Sequence, residues 1–513
     1  MKSDRRGFDY EPMTRPTGTQ RNEVTGSSFE PGIPKVLFPA EVVPKEVLPP
    51  GKESNSDPSA VQRERPARGI KGTDQIWTRR RGHGLTFALL FLYTTLAYFR
   101  PYELSPALAW TAWLPYSVAI IMLAIFIPTQ LGLEGRLTTR PREINLLLLF
   151  GLIALISIPH AISPLLAWNT FYSLFFKTAI MFIVMVNVLR SELRLKAMIL
   201  LGIVVGCFMS ASALQNYVLG SLVMEGTRAK AGINNMFGEP NALALHLVTV
   251  IPLAVALLLS TRNIVNKAIY TAATFLMLAG LFATFSRGGF LGLVAAVVVL
   301  LWKLGKRNRI AMVAVLMLAI VAAAFLAPGG YTGRLESIFD SSKDLVGSSS
   351  MRKEVLLRSL WVTLHSPFLG VGIGNFPIVS IRGLVSHNSY TQVASEMGLV
   401  ALTLFLMFLI VPYRRLKKLQ EESAAEKRHS RFYYLSIGLQ ASMIGGMVST
   451  YFLSVAYEGY MYSLVGYAIC LRGLYYLQPE AARPTRSWLT GDSGSSLAVE
   501  ALPTQQHLKG SER

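Results

Sequence analysis

The stretch whose reading decides this chain ends Gly370-Val-Gly-Ile-Gly374-Asn375-Phe376, Ser386-His387-Asn388-Ser389-Tyr390 and Glu396-Met397-Gly398. It closes a polar segment that runs from Ala327 to about Glu396, with an apolar span on either side. The segment carries Arg334, Arg352, Lys353, Arg358, His365, Arg382 and His387. Long loops are functional or disordered. This one, about 70 residues long, repeats Val355, Leu356, Ser359, Leu360, Val362 and Thr363 at helical spacing. It is therefore read as ordered, with a helix inside it.

Working outward, the 513 residues are 51% hydrophobic and 16% charged, with a mean hydropathy of +0.40. That balance excludes an ordinary soluble enzyme and points to an all-α polytopic membrane protein. A formal charge of +20 would suit a nucleic-acid partner, but the basic residues fall in short clusters between apolar spans. Such clusters set membrane orientation, and no nucleic-acid partner is expected. Cys207 and Cys470 both lie inside apolar spans, so no disulfide framework is implied. The first apolar span begins near Gly84, which predicts no cleavable signal peptide.

Residues 1–83 are rich in Pro, Gly, Ser, Glu and Arg and are expected to be a disordered cytoplasmic tail. Its basic end, Arg63 to Arg81, reads as a topology signal that can also touch anionic lipid. A transmembrane domain follows over 84–478. Stretches long enough to cross a bilayer lie near 84–99, 107–128, 144–159, 168–189, 195–219, 241–259, 267–285, 289–303, 309–326, 397–413, 432–453 and 459–477, about twelve helices. The 327–396 loop then falls between helices nine and ten. Residues 479–513 are expected to be a second disordered cytoplasmic tail.

Loop charge tests this layout. With the N-terminus inside, the even-numbered loops are cytoplasmic. They hold Arg136, Arg140 and Arg142; Arg190, Arg194 and Lys196; Arg262 and Lys267; Lys303 to Arg309; and Arg414 to Arg431. All five agree with the positive-inside rule, which puts both termini in the cytoplasm and the large loop outside. The outward basic residues are the exceptions: Arg100, Arg228, Lys230, Arg287 and those of the loop. They oppose the rule, and an anionic ligand on the outer face would account for them.

Three constellations could carry chemistry. The first is Arg228-Ala-Lys230-Ala-Gly232 followed by Gly238-Glu239-Pro240-Asn241. Pro240 suits a first helical turn, Asn241 sits among its N–H groups, and a helix start beside cations is an anion site; an ordinary capped loop reads equally well. The second is Phe285-Ser286-Arg287-Gly288-Gly289, read as a tight reversal permitted by two glycines. Its Arg287 is either a phosphate-matching fork or a snorkelling side chain. The third is His387, a proton acceptor near neutral pH or a structural loop histidine. Lys177 stands inside span four, where a charge is a functional candidate; Asn216 and Gln215 are candidate partners. No carboxylate or Cys/His set suggests a metal, and no phosphate-binding loop implies nucleotide hydrolysis.

Taken in this order, the pieces resemble the O-antigen ligase and O-antigen polymerase family of bacterial inner-membrane proteins. The matching residues are Arg228, Gly232 and Glu239-Pro240-Asn241; Phe285-Ser286-Arg287-Gly288-Gly289; Arg352, Trp361, Pro367 and Gly370 to Phe376; His387-Asn388; and Glu396-Met-Gly398. The resemblance is close over about 195–413. It implies a fold like the C-type glycosyltransferases, with a catalytic periplasmic loop. It also implies transfer of a glycan from undecaprenyl diphosphate to an acceptor glycan or lipid, without cofactor or metal. By the resemblance Arg228 and Arg287 bind diphosphate and His387 deprotonates the acceptor. The first basic position is open between Arg228 and Lys230. Asn241, Asn388, Arg352 and Lys177 are the further substrate-binding candidates. A polymerase of the same family and a transporter or flippase for lipid-linked sugar are the alternatives. Against the transporter stand a single midplane charge and no internal repeat.

The layout has a direct test. A cysteine at Ser348 should react with a membrane-impermeant thiol reagent added from the periplasmic side; labelling only from the cytoplasmic side would reverse the orientation.

Overall fold

The computed structural model describes residues 76–77, 82–104, 106–220, 239–305, 309–310, 313, 317, 348–424 and 431–477. The chain separates into two units, Met1–Ala67 and Arg68–Arg513, and every described residue belongs to the second. Among them all regular structure is helical.

The helices are α1 (Gly84–Phe99), α2 (Leu114–Glu134), α3 (Arg142–Ser157), α4 (Pro164–Val188), α5 (Glu192–Val218), α6 (Pro240–Ser260), α7 (Ile264–Ala283), α8 (Arg287–Gly305), α9 (Ser348–His365), α10 (Ser389–Ser423), α11 (Arg431–Thr450) and α12 (Gly459–Tyr476). Seven are long and apolar enough to cross a membrane: α2 with its 3₁₀ entry, α4, α5, α6, α7, α8 and α10. Four other expected spans coincide with α1, α3, α11 and α12, which are shorter or more polar. The ninth expected span, 309–326, lies almost wholly outside the described residues. α9 is the helix expected inside the loop, with Val355, Ser359, Val362 and Thr363 buried.

The bundle is built around α6. Every residue from Pro240 to Leu257 is buried, as expected of a helix that is apolar all round. Lipid tails offer no hydrophobic drive for helix association, so small residues that admit close packing take its place. Gly292 of α8 and Gly445 of α11 lie backbone to backbone, and Gly438 of α11 meets Pro252 and Ala256 of α6. Ser449 donates to the Gly288 carbonyl at 3.2 Å across the same seam.

Away from the loop, the buried Glu143, Arg190 and Arg472 are paired. Glu143 of α3 is fully buried and holds Arg415 of α10 at 3.0 Å and Arg472 of α12 at 3.1 Å. Arg190 meets Glu134 at 2.7 Å and Gln130 at 3.0 Å. Arg190 and Arg415, read as topology signals, are thus also structural ties. The expected disordered tail differs at its end. Trp77 is buried, its indole donating to the Val186 carbonyl at 3.1 Å, and His83 meets Gln130 at 2.9 Å. A large apolar ring can dock on the bundle even where the surrounding sequence lacks periodicity.

Removing the shared carboxylate leaves the buried Arg472 and the half-buried Arg415 without their anion. Glu143→Ala should therefore cost roughly 3–5 kcal/mol, read as a lowered thermal midpoint in detergent, with Glu143→Asp losing less.

Candidate functional site

The segment between α9 and α10 is pinned to the bundle. Gly370, Gly372 and Gly374 all have left-handed φ, of 63°, 97° and 74°, where a side chain would be strained. A Cβ at these positions would strike the Glu396 backbone, Ala161 and Thr170 respectively. Val371 and Gly372 donate to the carbonyls of Ser395 and Glu396, both at 2.9 Å. The buried Glu396 carboxylate accepts the Gly374 N–H at 2.8 Å and the Tyr457 hydroxyl at 2.7 Å. Asn375 accepts the Ser163 N–H at 2.8 Å at the start of α4. α10 itself breaks at Gly398 (φ 84°), beside which Leu399 donates to the Pro367 carbonyl at 2.7 Å. The helical turn therefore starts at Ser389, before the expected span start near 397, and the break recovers that start.

His387 follows from this clamp. It has φ 51°, between two fixed neighbours. Ser386 donates to the Asn388 carbonyl at 2.7 Å and lies 3.1 Å from Ser454. Asn388 caps α10, its side-chain oxygen accepting the N–H groups of Tyr390 at 2.9 Å and Thr391 at 3.1 Å. That cap gives Asn388 a structural role beside its expected binding one.

Arg287 is placed by a second arrangement. The expected glycine reversal is made differently: Phe285 takes the left-handed turn, φ 51°, and Ser286 caps α8, accepting the Gly289 N–H at 3.2 Å. Gly288 and Gly289 instead lie in the first turn of α8, where missing side chains admit Phe452 and Ala244. Ser286 donates to Asn241 at 2.8 Å, and Asn241 donates to Glu239 at 2.9 Å. Pro240 opens α6 as expected. Asn241 thus ties the starts of α6 and α8 together and holds Arg287 in place through Ser286.

These elements meet at one cavity of about 250 Å³, lined by Arg287, Arg352, Lys353, Ser386, His387 and Asn388, with Tyr451 and Phe452 from the end of α11. Burial pushes the His387 imidazole below the ordinary histidine pKa; Arg352 pushes the same way and Glu239 opposes. A neutral imidazole beside two or three cations can take a proton while the cations hold an anion. Residues 272–406 match the family model described as O-Antigen ligase. Over this stretch the chain is similar to that family. No curated protein matches the chain.

The matched stretch includes Arg287, Arg352, His387 and Asn388, which the structure brings together. Asn241 lies outside that stretch and acts one hydrogen bond back. Arg228 and Lys230 lie outside the described residues. Lys177 is not at this cavity. Its ammonium sits over the rings of Tyr116 and Tyr172, 5.1 and 5.6 Å from their centroids, not beside Gln215 or Asn216. Sequence reasoning named Ser286 in its second constellation and Lys353 in the loop without giving either a role, and did not name Tyr451. Ser286 carried a readable signal, a serine just before a helix; nothing in the sequence pairs Tyr451 with His387.

The pKa directions make a test. Activity needing neutral His387 falls as pH drops through its pKa, so the acid limb of kcat/KM should lie below about 6.5. Arg352→Ala removes a cation and should move that limb up; Glu239→Gln removes an anion and should move it further down. A limb that stays put in both variants would detach His387 from the rate.

Proposed function

We propose that the chain is a membrane glycan transferase with about twelve spans. It moves an undecaprenyl-diphosphate-linked saccharide onto an acceptor hydroxyl at the periplasmic face of a bacterial inner membrane, in the manner of an O-antigen ligase. The observation that carries this reading is the single cavity holding His387 with Arg287 and Arg352.

Chemistry follows from those three side chains. The acceptor O–H gives its proton to His387 as its oxygen attacks the anomeric carbon. The bond from that carbon to the diphosphate oxygen breaks, and the leaving diphosphate takes the electron pair. One displacement inverts the anomeric centre. Negative charge develops on the leaving group, and arginines preorganised in a partly dehydrated cavity stabilise it where it forms. A sugar hydroxyl is a weak nucleophile, so a placed base contributes roughly a hundred- to ten-thousandfold. Arg228 or Lys230 would complete the diphosphate grip.

With purified protein and a lipid-linked glycan, His387→Ala should lose roughly a hundredfold or more in turnover while donor binding persists, since a base acts chiefly in the transition state. Arg287→Lys keeps the charge but loses the planar fork, and should fall below wild type in both binding and turnover. Full activity in His387→Ala would remove the base. In cells, gene deletion should leave polymer accumulating on the carrier lipid; single repeats without long chains would make the enzyme a polymerase.

A further inference from the structure

A second cavity, of about 390 Å³, opens between α1, α4 and the start of α12. One end carries Arg100, Lys177 and Glu458; Tyr93 and Thr94 lie further in, about one turn of α1 from Leu90. The other end is apolar, with Leu90, Met181, Met185 and Met198. Leu90 lies ten residues along α1 from Arg100, about 15 Å deeper by helix rise.

Three features of this cavity are built rather than incidental. α4 has a π-helical turn at Phe171–Phe176 immediately before Lys177, and such turns recur at functional sites because they redirect the residues that follow. Lys177 is held by two aromatic faces, which stabilise a cation without neutralising it. None of the ion pairs among the described residues involves it. Arg100 has left-handed φ, 41°, a costly conformation for a residue with a side chain; its Nη1 meets Glu103 at 2.9 Å. A charge inside a membrane helix is expensive unless something balances it.

Burial pushes the Glu458 carboxyl up to about 7, so in its protonated form it donates to an anion beside the two cations. The change of lining from charged to apolar along one cavity matches an amphiphile with an anionic head. Methionines suit a flexible chain because their own side chains adapt. Ser173 and Leu174, both exposed on the flank of α4, also line the cavity, so it is reached sideways from the bilayer. We propose that this cavity binds a phosphate-headed amphiphile, with its phosphate between Lys177 and Arg100 and its chain against Leu90, Met181, Met185 and Met198. The site is separate from the His387 cavity and is read out by binding alone, whatever reaction that cavity carries out.

Native mass spectrometry of the full-length protein tests this, in an Arg287→Ala, Arg352→Ala background that weakens the other anion site. The probes are undecaprenyl phosphate, phosphatidylglycerol, phosphatidylcholine and inorganic phosphate. One equivalent of undecaprenyl phosphate or phosphatidylglycerol should be retained, and the tighter of the two identifies the source of the head. Lys177→Met should weaken retention roughly tenfold or more, the loss of a charge-assisted contact, and Lys177→Arg should keep it. Ser173→Trp, measured alongside, should block the mouth and lower retention without touching the cation. The proposal is overturned by undiminished retention in both Lys177→Met and Ser173→Trp, by equal retention of phosphatidylcholine, or by inorganic phosphate binding as tightly as the amphiphiles.

Discussion

One buried carboxylate fastens the loop to the bundle. Glu396 sits at the break in α10 and accepts hydrogen bonds from Gly374 on the loop and Tyr457 before α12. Three separate parts of the chain meet on it. A buried carboxylate is costly without such partners and becomes an ordering element with them. The glycines at 370, 372 and 374 exist in this setting because the loop backbone must lie against the α10 backbone, where a side chain would collide. Gly398 completes the fit, since its break lets the next N–H reach Pro367 instead of the helix.

A second tie, between Ser286 and Asn241, fixes the starts of α6 and α8. Its position matters because α6 is the buried post of the bundle and α8 begins with Arg287. An arginine on a loose turn would lose more conformational freedom on gripping an anion. An arginine at the capped start of a helix, packed through Gly288 and Gly289 against its neighbours, is already placed. The site thus draws its cations from a membrane helix and a loop helix, and its imidazole from a strained position between hydrogen-bonded Ser386 and the helix cap Asn388.

The distribution of charge follows the same logic throughout. Away from the loop, Glu143 and Glu134 neutralise arginines that close packing has removed from water. At the two cavities cations gather on the lining, Arg287, Arg352 and Lys353 at one, and Arg100 and Lys177 beside the carboxyl of Glu458 at the other. The three cations at the His387 cavity make a field that attracts anions.

Hydropathy by itself determined where the apolar helices among the described residues run, because a chain in hydrocarbon must satisfy its backbone internally and does so with helices. The sequence also determined that α9 would form, through the spacing of Val355, Ser359 and Val362, and that Pro240 would open α6. It marked His387, Arg287 and Arg352 as unusual. Only the tertiary structure decided that those three share a cavity while Lys177 lines another, for they lie on segments far apart in the chain and contact across such distances leaves no local pattern. Tertiary structure likewise turned Asn241 and Asn388 into ties and caps, and moved Gly288 and Gly289 from the turn into the helix. A glycine is read locally as freedom of φ, whereas here it serves close approach, and what approaches is set by the packing of other helices.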